Sequence, residues 1–154
     1  KWRKRKYIIT SSAKKRLGGG VLNDLSHEID ICFFLFKFMK NYFLSKNKLS
    51  NLKIDTEDYA YIICNNKDLP ISISLSYFTK IEQRSIFLEF RNFSIEADLL
   101  NNICFIKKNN LIKKIKFKKI DTYFYQAKNL IKSNFNEFCT IKEGIKVLKV
   151  IHKK

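Results

Sequence analysis

Between Ile71 and Tyr77 the chain alternates without exception: Ile71, Ile73, Leu75 and Tyr77 are separated by Ser72, Ser74 and Ser76. A period of two puts all four large side chains on one face of an extended chain, which predicts a β-strand with one buried and one polar side. Neighbouring segments repeat the pattern less strictly. "DTEDYAYIIC" precedes it across the turn "NNKDLP", and "RSIFLEFR", "FSIEAD", "NICFIKK" and "LIKKIKFKK" follow, with "RN" and "KNN" as turns. About six strands at hairpin spacing predict a mostly antiparallel sheet over residues 55–120, open on one face.

Helical spacing brackets the strands. Val21, Leu22, Leu25, Ile29, Cys32, Phe33 and Phe36 recur at helical intervals, predicting a buried helix from Val21 to about Tyr42 within a glycine-led segment, residues 18–45. Further on, Tyr123, Phe124, Ala127, Leu130, Ile131 and Phe135 form a second stripe. "TIKE", Thr140 to Glu143, reads as a capping box that opens a last helix carrying Ile145, Leu148 and Ile151. With residues 1–17 as a basic lead-in and 121–154 as C-terminal helices, the expected fold class is α+β. One domain is expected, its helices packed on one face of the sheet.

A chain of 154 residues that is 45% hydrophobic can bury a core. No apolar run reaches the roughly eighteen residues of a membrane span, and no signal-like stretch precedes the polar "TSSAKKR", so a cytoplasmic protein is expected. Cys32, Cys64, Cys104 and Cys139 are too widely spaced for a redox dithiol or a zinc knuckle and read as reduced core thiols. The net charge of +17 raises nucleic-acid binding as a function. Against it, the charge is spread along a chain rich in Lys, Ile, Asn and Phe together, and only "IKKNNLIKKIKFKK" concentrates it, in the pattern of a solvated edge hairpin. Serine-protease and P-loop chemistry lack their residues: there is one interior histidine and no Gly-Lys-Ser/Thr loop.

The segment with chemical potential is "GGGVLNDLSHEID", Gly18 to Asp30. Asp24, His27 and Asp30 follow one another at three-residue steps, so on a helix His27 has a carboxylate one turn to either side. A histidine so placed can take a proton near neutral pH. The same spacing also suits a hydrogen-bonded structural histidine, with Asp24 as a first-turn acid on the helix dipole. The glycines permit close backbone approach, and the helix N-terminus they lead into favours an anion.

The order of these motifs resembles the C-terminal domain of the Gfo/Idh/MocA family of NAD(P)-dependent oxidoreductases. "GGGVLNDLSHEIDICFFLF" is similar to that domain's first helix, where an aspartate and then an "HxxD" histidine follow glycines. "KWRKRKYIITSSAKKRLGGG" resembles its lead-in, "DTEDYAYIICNNKDLPISISLSYF" its "D-x-E-D" strand and the Ser-rich strand after it, "FSIEADLLNNICFI" the hairpin after its "G-T-I-E" strand, and "FCTIKEGIKVLKVI" its closing helix. Two features depart from the pattern. Asp24 stands three residues before His27, where many members have four and Asn23 stands here. No "GxGxxG" loop of a Rossmann domain and no Glu-Lys-Pro motif occur in the chain.

The resemblance implies a glyceraldehyde-3-phosphate dehydrogenase C-terminal-like fold that supplies substrate contacts and an oligomerising sheet. A separate Rossmann domain would hold NAD or NADP. It further implies His27 as general base with Asp24 orienting the substrate hydroxyl or the imidazole, Asn23, Tyr7 and Arg3 on the substrate side, and Lys15 near the cofactor. Asp30 is expected to be structural and His152 solvated. The expected function is the substrate-binding half of a dehydrogenase acting on a sugar, polyol or nucleotide-sugar, inactive alone and binding no cofactor tightly by itself. The alternative is a non-catalytic remnant that self-associates through its sheet.

Overall fold

A computed structural model describes residues 7–37, 41–66, 69–136 and 138–152. The chain divides into two compact units, one made of residues up to Lys80 together with those from Cys139 onward, the other of Ile81–Phe138. Together the elements make an α+β fold with two antiparallel sheets.

The first unit is built on β2 (Tyr59–Asn66), which pairs antiparallel with β1 (Tyr42–Asn47) on one side and β3 (Leu69–Ser76) on the other. In this register Ile62 lies opposite Leu44 and Ile73, Ala60 opposite Leu75, and Cys64 opposite Ile71, so one face is apolar apart from Lys46 of β1, which lies opposite Ala60. That face buries its side chains against Val21, Leu22 and Ile29 from the helical segment and Val147, Val150 and Ile151 from the C-terminal helix. Ser72 and Ser74 point the other way and are exposed. The alternation read in the sequence thus sets which side of β3 meets the helices.

Three expectations need correction here. The predicted helix from Val21 to about Tyr42 is two helices, α1 (Val21–Asp24) and α2 (Ser26–Phe36), interrupted at Leu25, whose φ of −104° and ψ of 24° leave the helical range. It ends at Phe36, where Lys37 closes α2 in the left-handed conformation, and Tyr42–Asn47 is a strand. Tyr42, Leu44 and Lys46 with Phe43 and Ser45 between them are too short and irregular an alternation to stand out beside a Phe-rich helix. The third correction concerns the last helix, α4 (Ile141–Ile151): it buries Val147, Val150 and Ile151, while Ile145 and Leu148 of the expected stripe stay 45% and 50% exposed. Its capping box forms as read. Thr140 accepts from the Glu143 amide and the Glu143 carboxylate accepts from the Thr140 amide at 2.8 Å.

The second unit is a four-stranded meander, β4 (Ser85–Glu89), β5 (Ser94–Asp98), β6 (Ile103–Lys108) and β7 (Leu111–Lys116), followed by α3 (Thr122–Ile131). The turns fall at the quoted "RN" and "KNN", where Asn109 takes a positive φ of 52°. The lysine-rich strand β7 is the sheet's edge, and Lys114 sits 5.7 Å over the Phe105 ring of its neighbour. The centre of the "NNKDLP" turn in the first unit lies outside the described residues.

Of the cysteines, Cys64 is buried, Cys32 and Cys104 are half-buried, and Cys139 is exposed, so Cys139 is not the core thiol expected. Burial, aided by the Glu28 carboxylate, pushes the Cys32 thiol up to about 11. Among the described residues no helix is long and apolar enough to cross a membrane, and no three His, Cys, Asp or Glu side chains gather as metal ligands do.

Candidate functional site

The glycine run is explained by what packs on it. A Cβ on Gly19 would collide with the Ser11 and Ser12 carbonyls of the lead-in, and one on Gly20 with the Glu57 carboxylate; Gly20 also has a φ of 123°, where a side chain is strained. The glycines therefore let the lead-in and the entry to β2 close on the start of α1. The Gly20 amide donates to the Ser12 carbonyl at 3.1 Å, and the Val21 amide to the Glu57 carbonyl at 3.1 Å.

Four consecutive residues before β2, Asp55-Thr56-Glu57-Asp58, hold the surrounding segments. Asp55 Oδ1 accepts from the Lys15 amide at 2.6 Å, and the Thr56 hydroxyl donates to the Ser12 carbonyl at 3.3 Å. Glu57 Oε1 accepts from the Leu22 amide at 3.4 Å, in the first turn of α1. Asp58, fully buried, accepts from the Leu49 amide at 2.7 Å and from the Ser50 amide and hydroxyl at 3.0 and 2.5 Å, and pairs with Lys48 at 3.0 Å. Burial pushes the Asp58 carboxyl up, but these hydrogen bonds outweigh it and hold it below the ordinary range. The anion that the helix N-terminus favours is thus the chain's own Glu57. Three acids and a threonine packed before a strand were the visible sign of this clasp, which the sequence reading used only as part of a strand pattern.

Above the clasp, Asp24 ends α1 half-buried, and its Oδ1 accepts from the Ser12 hydroxyl at 2.9 Å. Asn23 donates from Nδ2 to the Gly19 carbonyl at 3.5 Å. Both side chains line a cleft of about 110 Å³ with Ser11, Ser12, Gly18 and Gly19. His27 stands beyond the break, in the first turn of α2, with 53% of its side chain exposed, and its Nε2 lies 3.0 Å from Glu28 Oε1. The imidazole's partner is the next residue in the chain, where the spacing pointed to Asp24 and Asp30. The interruption at Leu25 separates Asp24 from His27, and Asp30 instead meets Cys139, whose Sγ lies 3.7 Å from its Oδ1.

The other candidate residues disperse. Tyr7 lies on the far side of the lead-in, its hydroxyl accepting from the Lys53 amide at 3.3 Å, and lines a second cavity. Lys15 is exposed, tied to Asp55 through its backbone. Arg3 lies outside the described residues. Ser12, which no spacing rule picked out, is the residue that reaches both cavities and the Asp24 carboxylate.

Chemically, the cleft presents a carboxylate, an amide and backbone groups to one polar edge of a ligand, with an accessible imidazole on the next turn. Glu28 holds one imidazole nitrogen, so the other is the one that can take up a proton. Among the described residues, the glycine-led start of α1 is occupied by Glu57.

No protein-family model and no curated protein matches the chain. The fold, by contrast, is that of part of several oxidoreductases of known structure. The UDP-N-acetylglucosamine 3-dehydrogenase of Acidithiobacillus ferrooxidans superposes with a TM-score of 0.73 at 17% identity, over 96% of this chain and 46% of that one. The WlbA dehydrogenase of Bordetella pertussis, solved with NADH and UDP-GlcNAcA, gives a TM-score of 0.60 at 18% identity over 90% of this chain and 42% of that one. An oxidoreductase of Agrobacterium radiobacter, solved with NAD+, L-tartaric acid and magnesium, gives 0.53 at 17% identity over 64% and 30%. The chain spans less than half the length of each of these proteins. At such identities the likeness shows the fold, the α+β fold that the sequence resemblance led one to expect.

Proposed function

We propose that this chain is the substrate-side, C-terminal part of a Gfo/Idh/MocA-type NAD(P)-dependent dehydrogenase acting on a sugar or nucleotide-sugar derivative. The observation that supports it most is the fold likeness over 96% of the chain to a nucleotide-sugar dehydrogenase, combined with a carboxylate and an amide converging on one polar cleft and an accessible histidine three residues further along the chain. In this reading Asn23 and Asp24 take hydroxyls of the substrate. His27 accepts the proton that a hydroxyl releases as the alcohol carbon is oxidised, and the neighbouring Glu28 carboxylate stabilises the imidazolium that forms. Ser12 holds Asp24 in place. In this reading NAD or NADP, the hydride acceptor, would be held by a separate Rossmann domain, and the part played by these residues is binding and the proton.

Titration of the isotopically labelled chain with UDP-N-acetylglucosamine tests the reading. Saturable shifts at Asn23, Asp24 and His27 are expected, and shifts elsewhere or none would overturn it. The chain alone is expected to reduce no nicotinamide; measurable reduction would refute the division of labour. Joined to a complementary Rossmann domain, His27→Ala is expected to lower turnover by about a hundredfold or more, the usual worth of a positioned base. Unchanged turnover would remove His27 from the chemistry.

A second reading, association of the chain with copies of itself, is favoured by one observation. The second unit leaves large apolar side chains such as Leu111, Tyr123 and Ile131 more than three-quarters exposed. Light scattering on the purified chain separates a monomer from a dimer.

A further inference from the structure

A second cavity, larger than the Asp24 cleft, lies apart from it. It has a volume of about 280 Å³ and lies across Ser12 from that cleft, between the lead-in and the end of β3. Its walls are aromatic and aliphatic: Tyr7 from the lead-in, Tyr77 and Phe78 after β3, and Leu52 and Ile54 from the loop before β2. Thr10, Ser12 and Thr79 add hydroxyls to the lining. Among the described residues that line it, exposed Lys80 is the one with a formal charge, and none carries a carboxylate.

The walls are fixed from behind. Thr10 folds back on Tyr7, its amide and hydroxyl donating to the Tyr7 carbonyl at 3.0 and 2.7 Å, and the Tyr7 hydroxyl is anchored to the Lys53 amide. The Tyr77 amide donates to the carbonyl of Asp58 at 2.9 Å, and the Phe78 ring lies 6.3 Å from that of Tyr59. Ala13 is tied by its carbonyl to the Asp55 amide at 3.3 Å. A cavity whose rings are already held in place spends little ordering entropy on a ligand.

We propose that this cavity is a binding site for a small planar ring carrying one anionic substituent, the ring packing among Tyr7, Tyr77 and Phe78 and the anion meeting Lys80. Size fits one such molecule: a cavity of about 150 Å³ suffices for benzene, so this one takes roughly a substituted or fused ring and not a larger ligand. The chemistry selects sign as well as shape. Three rings and two aliphatic side chains favour an apolar body, and a single ammonium without a bordering carboxylate favours a negative group over a neutral or positive one. This site does not depend on the hydride-transfer reading, which stands or falls at Asp24 and His27.

Naphthalene-2-carboxylate and its neutral carboxamide serve as the probe pair, followed by amide chemical shifts of the labelled chain at low salt. The carboxylate is expected to bind saturably, shifting Tyr7, Thr79 and Lys80, and to bind about fivefold tighter than the carboxamide, the size of one partly exposed ion pair. Lys80→Gln, a change at an exposed position, is expected to abolish that preference while leaving the ring's affinity. Equal affinity for acid and amide, shifts centred away from these residues, or no saturable shift at millimolar probe would each overturn the proposal.

Discussion

The strands β3 and β6 are written in related ways, yet they end in different surroundings. In β3, Ile71, Ile73 and Leu75 are 8%, 7% and 4% exposed, because α1, α2 and α4 cover that side of the sheet. In β6 and its neighbours, Ile86, Leu88, Ile95, Cys104, Ile106 and Ile115 share one face by register, and none of them is buried. Every fully buried hydrophobic of the described chain belongs to the first unit. Among its described residues the second has one helix, α3, and that helix contributes no buried residue. Alternation therefore encodes the strand and the side it offers to a core. Whether a core arrives on that side depends on helices from distant parts of the sequence.

The comparison can be strained first where burial is deepest. Ile62→Ala, in the middle of β2, is expected to cost about 3 kcal/mol through lost contact and an unfilled cavity, measured by urea unfolding. Asp58→Ala is expected to cost a comparable amount, about 3 kcal/mol, since two amides, a hydroxyl and an ammonium lose their acceptor at a fully buried position. Gly20→Ala comes next, at about 2 kcal/mol, from a left-handed φ together with the collision with Glu57. The smallest effect belongs to the second unit. Ile131→Ser, at a residue 84% exposed, is expected to change the stability of the monomer by no more than about 0.5 kcal/mol. If it costs as much as Ile62→Ala, the contrast between the two units collapses.

Acid provides an independent lever on the same contrast. The Asp58 carboxyl is held below its ordinary range in the folded chain, so its contribution is fully present above the unfolded value of about 4 and is lost as the pH falls through the lower folded value. Unfolding of the first unit by acid is therefore expected to move to higher pH wherever the clasp is weakened, and Asp58→Asn is expected to flatten the acid dependence of its stability. A variant with an unaltered acid profile would show that this carboxylate does not set it.

Much of the fold was legible because local rules sufficed. The capping box at Thr140, the turns at Arg91-Asn92 and Asn109, and the faces of β3 follow from nearest neighbours in sequence. What was not legible depended on distant residues. The break at Leu25 has no glycine or proline to announce it, and Leu25 packs against the core from a turn while matching a helical period perfectly well. The buried face of α4 is chosen by α2 and the sheet, so Ile145 and Leu148 of its own apolar stripe lost to Val147 and Val150. At the candidate site the spacing brought Asp24, Asn23 and His27 to neighbouring turns, but it could not foresee Glu28 as the histidine's partner or Ser12 as the aspartate's.

The clasp from Asp55 to Asp58 also has a bearing on how the molecule comes into being. It joins the lead-in to the entry of β2 across some forty positions of chain, 40 for Lys15 and Asp55 and 44 for Ser12 and Thr56. Contacts of such high sequence separation close late, after the loop entropy between them has been overcome. A peptide ending at residue 50 would hold Asn23, Asp24 and His27 and yet lack the groups that cap α1 and fix Ser12. During synthesis the site's residues emerge early, but their arrangement waits for the strand that follows.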